Sequence, residues 1–300
     1  MPELPEVETV KRGLHKLIIS KQIKSVTFDN QKSFPNSSSD IEEFLIGSKI
    51  TNVRRRAKVL MIDLSSKYTL VIHLKMTGQL VFVNYSKPSV TANSVRFGGG
   101  HPTDSLVDNL PDKSTRVTIT FKDDSHLFFN DQRKFGWIRL MPTLEVPNID
   151  FMKRVGPEPL EVDFTPEEFI ERFKRRPNTT IKSALLDQSV IAGVGNIYAD
   201  ESLWGASIHP KRLMNSLTRT ELNKLYKEVR YVMNFSIEKG GSTNRNYVNA
   251  EGKKGSYMDF ARVFRREGLN CPRCNSEIIK IKVASRGTHI CPNCQKYPNI

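Results

Sequence analysis

Two cysteine pairs near the C-terminal end of the sequence constrain its fold more than any other feature. Cys271 and Cys274 form one CxxC pair, and Cys291 and Cys294 form a second after sixteen intervening residues. This is the spacing of a zinc ribbon, in which each CxxC turn supplies two sulfurs of a tetrahedron. Because sulfur fills all four positions, the pattern predicts one structural Zn²⁺ and places any catalysis elsewhere. A redox dithiol pair is the alternative interpretation.

The segment between the two pairs has the pattern of a β-hairpin. Apolar residues alternate with lysines along Ile279–Val283, and Arg286-Gly287 is expected to form the turn. Such a hairpin would present cations on one face, and cations suit phosphate groups. The alternative is a ribbon that only stabilises the C-terminal region.

The N-terminal part of the chain predicts a helix followed by a β-sandwich or barrel-like lobe. Leu4, Val7, Val10, Leu14 and Leu17 recur at helical spacing. Short runs rich in β-branched residues then predict strands, at Ile23–Phe28, Val59–Leu64, Leu70–Leu74, Val117–Phe121 and His126–Phe129. Residues 84–114, rich in Ser, Asn, Pro and Gly and including Gly98–Gly100, predict a surface insertion without regular structure.

The following residues predict a mainly helical lobe. Thr165 with Glu168, and Thr218 with Glu221, form capping boxes that begin helices. Two further helices are predicted at Thr180–Ser189 and Asn196–Trp204, joined through Ala192–Gly195, with Asn196 as an N-cap that aims backbone N–H groups at a phosphate. A plain helical packing element is the alternative. The expected domains are 1–145, with an insertion at about 84–114, then 146–262 and 263–297.

Charge and hydropathy restrict the class of partner. Lys and Arg total 46 against 32 acidic residues, a net charge of +14, which indicates a polyanionic partner such as nucleic acid. A solvated basic surface is the alternative interpretation. No apolar run is long enough to span a membrane, and the first residues lack the features of a secretory signal. The cysteines are not distributed like a disulfide framework. We therefore expect a cytoplasmic protein with no membrane partner, and nothing demands more than a monomer.

The order of several motifs resembles the bacterial formamidopyrimidine-DNA glycosylases along nearly the whole chain. The matching segments are Pro2–Val10, Arg55–Lys58, Ile72–Gly78, Asp131–Gly136, Gly156–Leu160, Ala192–Tyr198 and the zinc module ending Cys294-Gln295. The resemblance implies an α+β multidomain fold: an N-terminal β-sandwich lobe with an N-terminal helix, a helix-two-turn-helix lobe and a C-terminal zinc-finger hairpin, with DNA crossing the cleft. Only residues 84–114 lack a clear counterpart.

The resemblance also implies a bifunctional reaction on oxidised purines in double-stranded DNA. Met1 is removed, and Pro2 becomes an N-terminal secondary amine. A free α-amino group has a pKa of about 8, so a useful fraction of such groups is neutral. The attack of Pro2 on the sugar C1′ expels the damaged base, and the resulting iminium promotes β- and δ-elimination at the abasic site. The resemblance assigns acid/base catalysis to Glu3. Lys58 matches a catalytic lysine that lies near the target sugar and phosphate, and Arg286 matches an arginine that clamps a phosphate and takes part in δ-elimination.

Taken without the resemblance, these residues have ordinary interpretations. Glu3 and Glu6 are acidic residues of the kind favoured in the first turn of a helix, and Lys58 is a solvated charge at a strand end. Within the family pattern, Glu6 is expected to orient Glu3 or bind the ribose. His73, inside the motif Ile72–Gly78, is expected in a secondary role.

Three side chains are expected to fill the gap that an extruded nucleotide leaves in the duplex. The resemblance assigns this work to Met76, Arg133 and Phe135, although an isolated methionine or phenylalanine is more often core. Three neighbours depart from the family pattern, namely Lys75, Gln132 and Lys134. They are expected to tune lesion or opposite-base preference without removing a catalytic group.

The remaining DNA contacts are carried over from the helical lobe. Asn196 and Lys182 are expected to contact phosphates, with Arg176 or Arg175 as further candidates. The segment Gly240–Gly255 resembles a loop that closes over everted 8-oxoguanine, or is a plain surface connection; it includes Thr243, Tyr247 and Lys253. Around Lys113–Arg116 the family often has a histidine that contacts DNA, for which a hydroxyl group or Arg116 is the expected substitute.

Two other functions stay open on the sequence. An endonuclease VIII-like enzyme acting on oxidised pyrimidines would share Pro2, Glu3, the lysine and the zinc finger, although Leu4 and the sequence that follows favour the formamidopyrimidine type. A catalytically silent zinc protein that recognises damaged DNA is the second, and the intact catalytic set argues against it. The expected enzyme is a DNA glycosylase and abasic-site lyase, held on the bacterial nucleoid by DNA binding.

Overall fold

The computed structural model describes residues 1–84, 95–101, 110–242 and 257–297 of the chain. The chain divides into two compact units, Met1–Lys153 with Lys239–Ser256, and Arg154–Glu238 with Tyr257–Ile300. Each unit has its own apolar core. None of the helices among the described residues combines the length and the apolar character needed to cross a membrane.

The first unit begins with helix α1, Leu4–Ile18, which confirms the helix predicted there. Leu4, Val7, Val10, Leu14 and Ile18 are fully buried, so one face of the helix packs into the core. The helix ends where Ile19 takes an extended backbone conformation. The N-terminal residues that precede α1 are therefore held on a rigid element.

The described residues of the first unit include nine antiparallel strands, which confirm the predicted β-sandwich. They are β1 Ile23–Phe28, β2 Ile50–Arg56, β3 Val59–Leu64, β4 Tyr68–His73, β5 Gly78–Asn84, β6 Val95–Gly100, β7 Thr115–Phe121, β8 His126–Asp131 and β9 Trp137–Pro142. One sheet has the order β1-β7-β8-β5-β6, and the other has β2-β3-β4-β9. Short helices lie at Ser38–Asp40 (α2), continued by a π-helical turn, and at Asp150–Arg154 (α3).

The core of this unit lies between the two sheets. Leu60 and Ile62 of one sheet share a buried cluster with Leu80, Phe82 and Phe129 of the other. Side chains alternate across a strand, so the intervening residues of β3 form a second buried cluster on the outer face, where the 3₁₀ segment Thr143–Asn148 covers them. Coverage on both faces explains why β3 is an almost continuous apolar run.

The prediction that residues 84–114 lack regular structure is wrong in part. Residues 95–100 form β6, paired with β5 from Asn84↔Val95 to Gln79↔Gly100. Glycine is required at the end of this strand, because Gly100 has φ +123° and a Cβ there would collide with the backbone of Gly78. Gly100, which looked like a loop residue, therefore permits close strand pairing. Residues 85–94 and 102–109 of the stretch lie outside the described residues.

The second unit contains the predicted helical lobe. Its helices are α4 Pro166–Lys174, α5 Ile181–Leu186, α6 Asn196–Ala206 and α7 Arg219–Glu238. Thr165 caps α4 through a bond from the Glu168 N–H, and Thr218 and Glu221 exchange the two bonds of a capping box before α7. Gly240, with φ +80°, follows the end of α7 as predicted.

The C-terminal hairpin pairs β10, Ile279–Val283, with β11, Arg286–Ile290. Val283 pairs with Arg286, so the turn consists of Ala284 and Ser285, both with positive φ. The prediction of a turn at Arg286-Gly287 is therefore wrong by two residues. The two-residue turn has the mirror-image geometry that matches strand twist, and it leaves Arg286 as the first residue of β11.

Candidate active site and zinc centre

The start of α1 places two candidate catalytic residues in a buried, hydrogen-bonded corner of the first unit. Pro2 and Glu3 are both buried. Glu3 is the N-cap of α1, and Glu6 Oε2 accepts its backbone N–H at 2.8 Å in a reciprocal capping box. Glu6 Oε1 accepts the Ser242 N–H at 2.8 Å. Glu6 therefore fixes the Pro2–Glu3 peptide and ties it to the segment after α7.

Lys58 is the second residue of the two-residue turn between β2 and β3, where Ala57 has φ +52°. Arg55 connects this turn to α1, because its guanidinium donates to Glu8 at 3.0 Å and to the Ala57 carbonyl at 3.1 Å. Burial opposes ionisation of Glu8, but hydrogen bonds from Arg12 and Arg55 outweigh it and lower the pKa of Glu8. The ionised pair orients the buried Lys58 relative to the helix that carries Pro2.

His73 lies beside this lysine, since Val59 pairs with His73 across β3 and β4. Its Nδ1 accepts the Lys75 N–H at 3.0 Å. Burial, together with the charges of Lys75 and Lys58, lowers the pKa of His73 to about 3. The imidazole is therefore neutral at physiological pH, and Nε2 carries its proton.

A buried carboxylate that we did not single out from the sequence organises the predicted gap-filling residues. Asp131 accepts the backbone N–H groups of Arg133, Phe135 and Gly136 at 2.6–3.2 Å, and it also accepts the Thr77 hydroxyl. One side chain thus braces the turn after β8 and the residue next to Met76. An Asp at a strand end before a polar turn was the signal available in the sequence.

The same turn exposes the side chains that sequence analysis selected. Phe135 is 54% exposed. The Arg133 guanidinium lies 4.9 Å from its ring centroid, and Met76 is half-buried on the neighbouring turn. The structure brings these turns together, and the DNA roles of the three side chains stay a prediction.

Arg116 is not available as a substitute for the family histidine. Its guanidinium is buried and donates to the carbonyls of Asp131 and Lys113 and to the Asp29 carboxylate, at 2.6–2.8 Å. Ser114 is also buried, with its hydroxyl bonded to Asp112 at 2.7 Å. These groups hold β7 in place, so the expected DNA contact through Arg116 is wrong for this conformation.

In the second unit, Asn196 and Arg286 share one basic concavity of about 430 Å³, which Arg265 and Lys280 also line. Gly195 is the N-cap of α6, so the prediction of Asn196 as N-cap is wrong. Asn196 instead donates from Nδ2 to the Gly287 carbonyl at 3.0 Å. The helix start and the hairpin are thereby joined next to the exposed Arg286 side chain.

Lys182 has a different place from the one expected. It is fully buried, and its Nζ contacts Asp200 and Thr288 Oγ1, each at 2.6 Å. Asp200 in turn accepts the His289 N–H at 2.9 Å. An ammonium group enclosed in this way has no direct path to a phosphate, so the expected contact gives way to a tie between α5, α6 and β11.

Arg176, another basic candidate of the second unit, is exposed. The Arg176 side chain lies 3.2 Å from Asp187, while Arg175 pairs with Glu171 on its own helix. The proposed loop residues Thr243, Tyr247 and Lys253 lie outside the described residues. The phosphate role of Arg176 therefore stays a prediction.

The four cysteines form the metal-binding cluster that their spacing predicts. Their sulfurs all lie within 4.8 Å of one another, with Cys271 3.9 Å from Cys294 and Cys274 3.4 Å from Cys291. A tetrahedron with zinc–sulfur bonds of about 2.3 Å requires separations of this size. Two of the cysteines are buried and two partly buried, so the residues present fit one structural zinc ion.

Comparisons with known proteins cover nearly the whole chain. Residues 1–138 match the formamidopyrimidine-DNA glycosylase N-terminal domain, residues 155–248 the H2TH domain of the same enzymes, and residues 268–296 the zinc finger found in these glycosylases and isoleucyl-tRNA synthetase. The formamidopyrimidine-DNA glycosylases of Pelotomaculum thermopropionicum and Pediococcus pentosaceus are 40% and 41% identical to this chain, with 98–99% of each chain covered.

Solved structures agree with the sequence matches. The Lactococcus lactis enzyme in complex with DNA containing an abasic site has a TM-score of 0.83 at 33% identity, over 98% of this chain and all of that one. A point mutant of the same enzyme, bound to DNA containing Fapy-dG, has a TM-score of 0.83 at 34% identity, over 99% of this chain and all of that one. The likeness thus extends to both units and the zinc module.

Proposed function

This chain belongs to the formamidopyrimidine-DNA glycosylase family, and from that premise we propose that it excises oxidised purines through a covalent intermediate on Pro2 and then cleaves the DNA strand. The observation that carries the assignment is the buried Pro2–Glu3 corner, which Glu6 orients by hydrogen bonding the Glu3 N–H. The alternatives of a silent binding protein and of an endonuclease VIII-like enzyme lose support, because the matched relatives are formamidopyrimidine-DNA glycosylases.

The first step uses the amine that removal of Met1 exposes. The neutral Pro2 nitrogen attacks the sugar C1′, and the glycosidic bond breaks as the base leaves with a proton. Glu3 is placed to deliver or remove that proton, because it adjoins Pro2 and its side chain is shielded from bulk water. Opening of the sugar ring gives an iminium between Pro2 and C1′.

The second step breaks the DNA strand without water. The iminium withdraws electrons from C2′, a base removes a C2′ proton, and the 3′ phosphate leaves by β-elimination. A second elimination expels the 5′ phosphate, and hydrolysis of the remaining iminium restores the amine. The ammonium group of Lys58 lies near the sugar and its phosphate. The neutral His73 beside Lys58 adds a hydrogen-bond donor without a further charge.

The second unit supplies contacts to the DNA backbone, and its Arg286 is also expected to take part in δ-elimination. Arg286 and Asn196 meet at the basic concavity, where a guanidinium and backbone N–H groups suit a phosphate. Arg176, an exposed cation of the same unit, is a further candidate for a phosphate contact. The four cysteines would hold zinc, which supplies folding energy to the hairpin that carries Arg286. DNA binding of this kind would keep the enzyme on the bacterial nucleoid.

Borohydride trapping tests the proposal. A duplex carrying 8-oxoguanine opposite cytosine is incubated with the enzyme and reductant, and the cross-linked peptide is mapped by mass spectrometry. A cross-link at Pro2 is expected. Trapping of an abasic duplex but not of the 8-oxoguanine duplex would reject the base substrate, and a cross-link at Lys58 or another amine would reject the nucleophile.

A further inference from the structure

A tryptophan of α6, Trp204, contacts a sulfur of the four-cysteine cluster directly. The indole Nε1–H of Trp204 donates to Cys271 Sγ at 3.4 Å. Both groups are buried, with 6% of Trp204 and 2% of Cys271 exposed. A buried indole N–H needs an acceptor, and here the acceptor is a sulfur of the metal-binding set. The contact is therefore shielded from competing water.

An arginine inside the first CxxC turn holds the ring in this position. The Arg273 guanidinium stacks over Trp204 at 4.0 Å from the ring centroid. It also donates to the Trp204 carbonyl at 3.2 Å, to the Gly205 carbonyl at 3.3 Å and to Ser207 Oγ at 2.8 Å. These carbonyls lie at the C-terminal end of α6, where a cation is favourable. The CxxC turn and the helix end are thus locked together around the indole.

We propose that the Trp204 N–H is a hydrogen-bond donor to the zinc-bound Cys271 thiolate, and that it slows both zinc release and oxidation of that sulfur. A hydrogen bond draws electron density from the thiolate and so lowers its reactivity as a nucleophile. Hydrogen peroxide would otherwise transfer one oxygen atom to the sulfur, giving a sulfenate and water. Mutation of a residue that hydrogen-bonds a metal ligand typically lowers metal affinity about 10- to 100-fold.

The ring could instead serve only as packing, because it belongs to the apolar cluster around Cys271, Cys291, Val263 and Ile278. Trp204→Phe separates the two roles, since it keeps an aromatic ring beneath Arg273 and removes the N–H. The chain contains only two tryptophans, and the other, Trp137, lies in β9 of the first unit. Trp137→Phe is therefore a matched control with the same chemical change.

Zinc affinity and thiolate reactivity are measured on the full-length holoenzyme with a colorimetric chelator and with hydrogen peroxide. Trp204→Phe is expected to bind zinc about 10- to 100-fold more weakly and to lose it faster under peroxide, while Trp137→Phe matches the parent. In the Co²⁺-loaded protein, the thiolate-to-metal charge-transfer bands should move to lower energy in Trp204→Phe alone. Equal zinc affinity and unshifted bands would overturn the proposal.

A second measurement leaves Trp204 intact and so does not depend on the folding of its variant. In the Trp137→Phe protein loaded with ¹¹³Cd²⁺, the single indole proton should show scalar coupling to the metal through the N–H···S bond. It should also exchange slowly with solvent. An indole proton without coupling and with rapid exchange would show that the hydrogen bond is absent, whatever the zinc affinity.

Discussion

Replacing Lys182 by methionine should destabilise the second unit strongly, although the residue was selected from the sequence as a DNA contact. The substitution keeps most of the buried aliphatic chain and removes the ammonium group. Asp200 then remains as a buried carboxylate without its cation, and Thr288 loses a hydrogen-bond partner. The perturbation is therefore electrostatic rather than steric.

The expected magnitude follows from the burial of the pair. Both side chains are completely shielded from solvent, and removing one member of such a pair costs about 3–5 kcal/mol. The exposed pair Arg219–Glu167 is a matched control, with both side chains about two-thirds exposed. Arg219→Met should cost about 0–1 kcal/mol. The two variants remove one cation each and differ mainly in burial.

Urea unfolding of the zinc-loaded protein measures both effects. In the Trp137→Phe background, the tryptophan fluorescence comes from Trp204 and so reports on the second unit alone. The double variant Lys182→Met with Asp200→Asn should recover more than half of the loss, because the buried charge is gone while an oxygen still accepts the His289 N–H. A Lys182→Met loss below about 1 kcal/mol, comparable with that of an exposed pair, would refute the structural role and restore the phosphate contact as the better explanation.

Three further predictions concern the active site and the contacts with DNA. Asp131→Asn should lower the free energy of unfolding by about 1–3 kcal/mol and speed amide hydrogen exchange at residues 133–136, whereas the exposed Asp124→Asn should do neither. The pKa of His73 is lowered to about 3 in the folded protein, against about 6.5 when unfolded. The free energy of unfolding should therefore decrease as pH falls below about 6.5, by up to about 1.4 kcal/mol per pH unit, and His73→Asn should weaken this pH dependence. An NMR titration that gives His73 a pKa near 6.5 would contradict the prediction. Arg286→Ala should weaken DNA binding for all sequences and lower the salt slope by about one, and an unchanged slope in a binding titration would argue against a phosphate contact.

Patterns of spacing predicted much of the architecture. The helix at Leu4–Ile18, the capping boxes before α4 and α7 and the four-cysteine cluster each depend on residues close together in sequence. Their periodicity or spacing specifies a local geometry that tertiary packing then preserves. These elements are confirmed for that reason.

Long-range pairing explains what the sequence did not reveal. Lys182 forms an ion pair with Asp200 and a hydrogen bond to Thr288, and Arg116 is bound by Asp29, 87 residues away. A cation looks the same in a sequence whether it meets solvent, phosphate or a buried carboxylate. The strand β6 was missed because a glycine that permits two backbones to approach closely, such as Gly100, looks like a loop glycine in the sequence.

The bond between Glu6 and the Ser242 N–H joins groups 236 residues apart, and this separation sets an order of events during synthesis. At roughly 5–20 residues per second, about 10–50 seconds pass between the emergence of the two partners from the ribosome. The nascent N-terminus is without its final restraint during this interval. Excision of Met1, which exposes the Pro2 amine, can therefore begin before the bond that joins Glu6 to the Ser242 N–H forms.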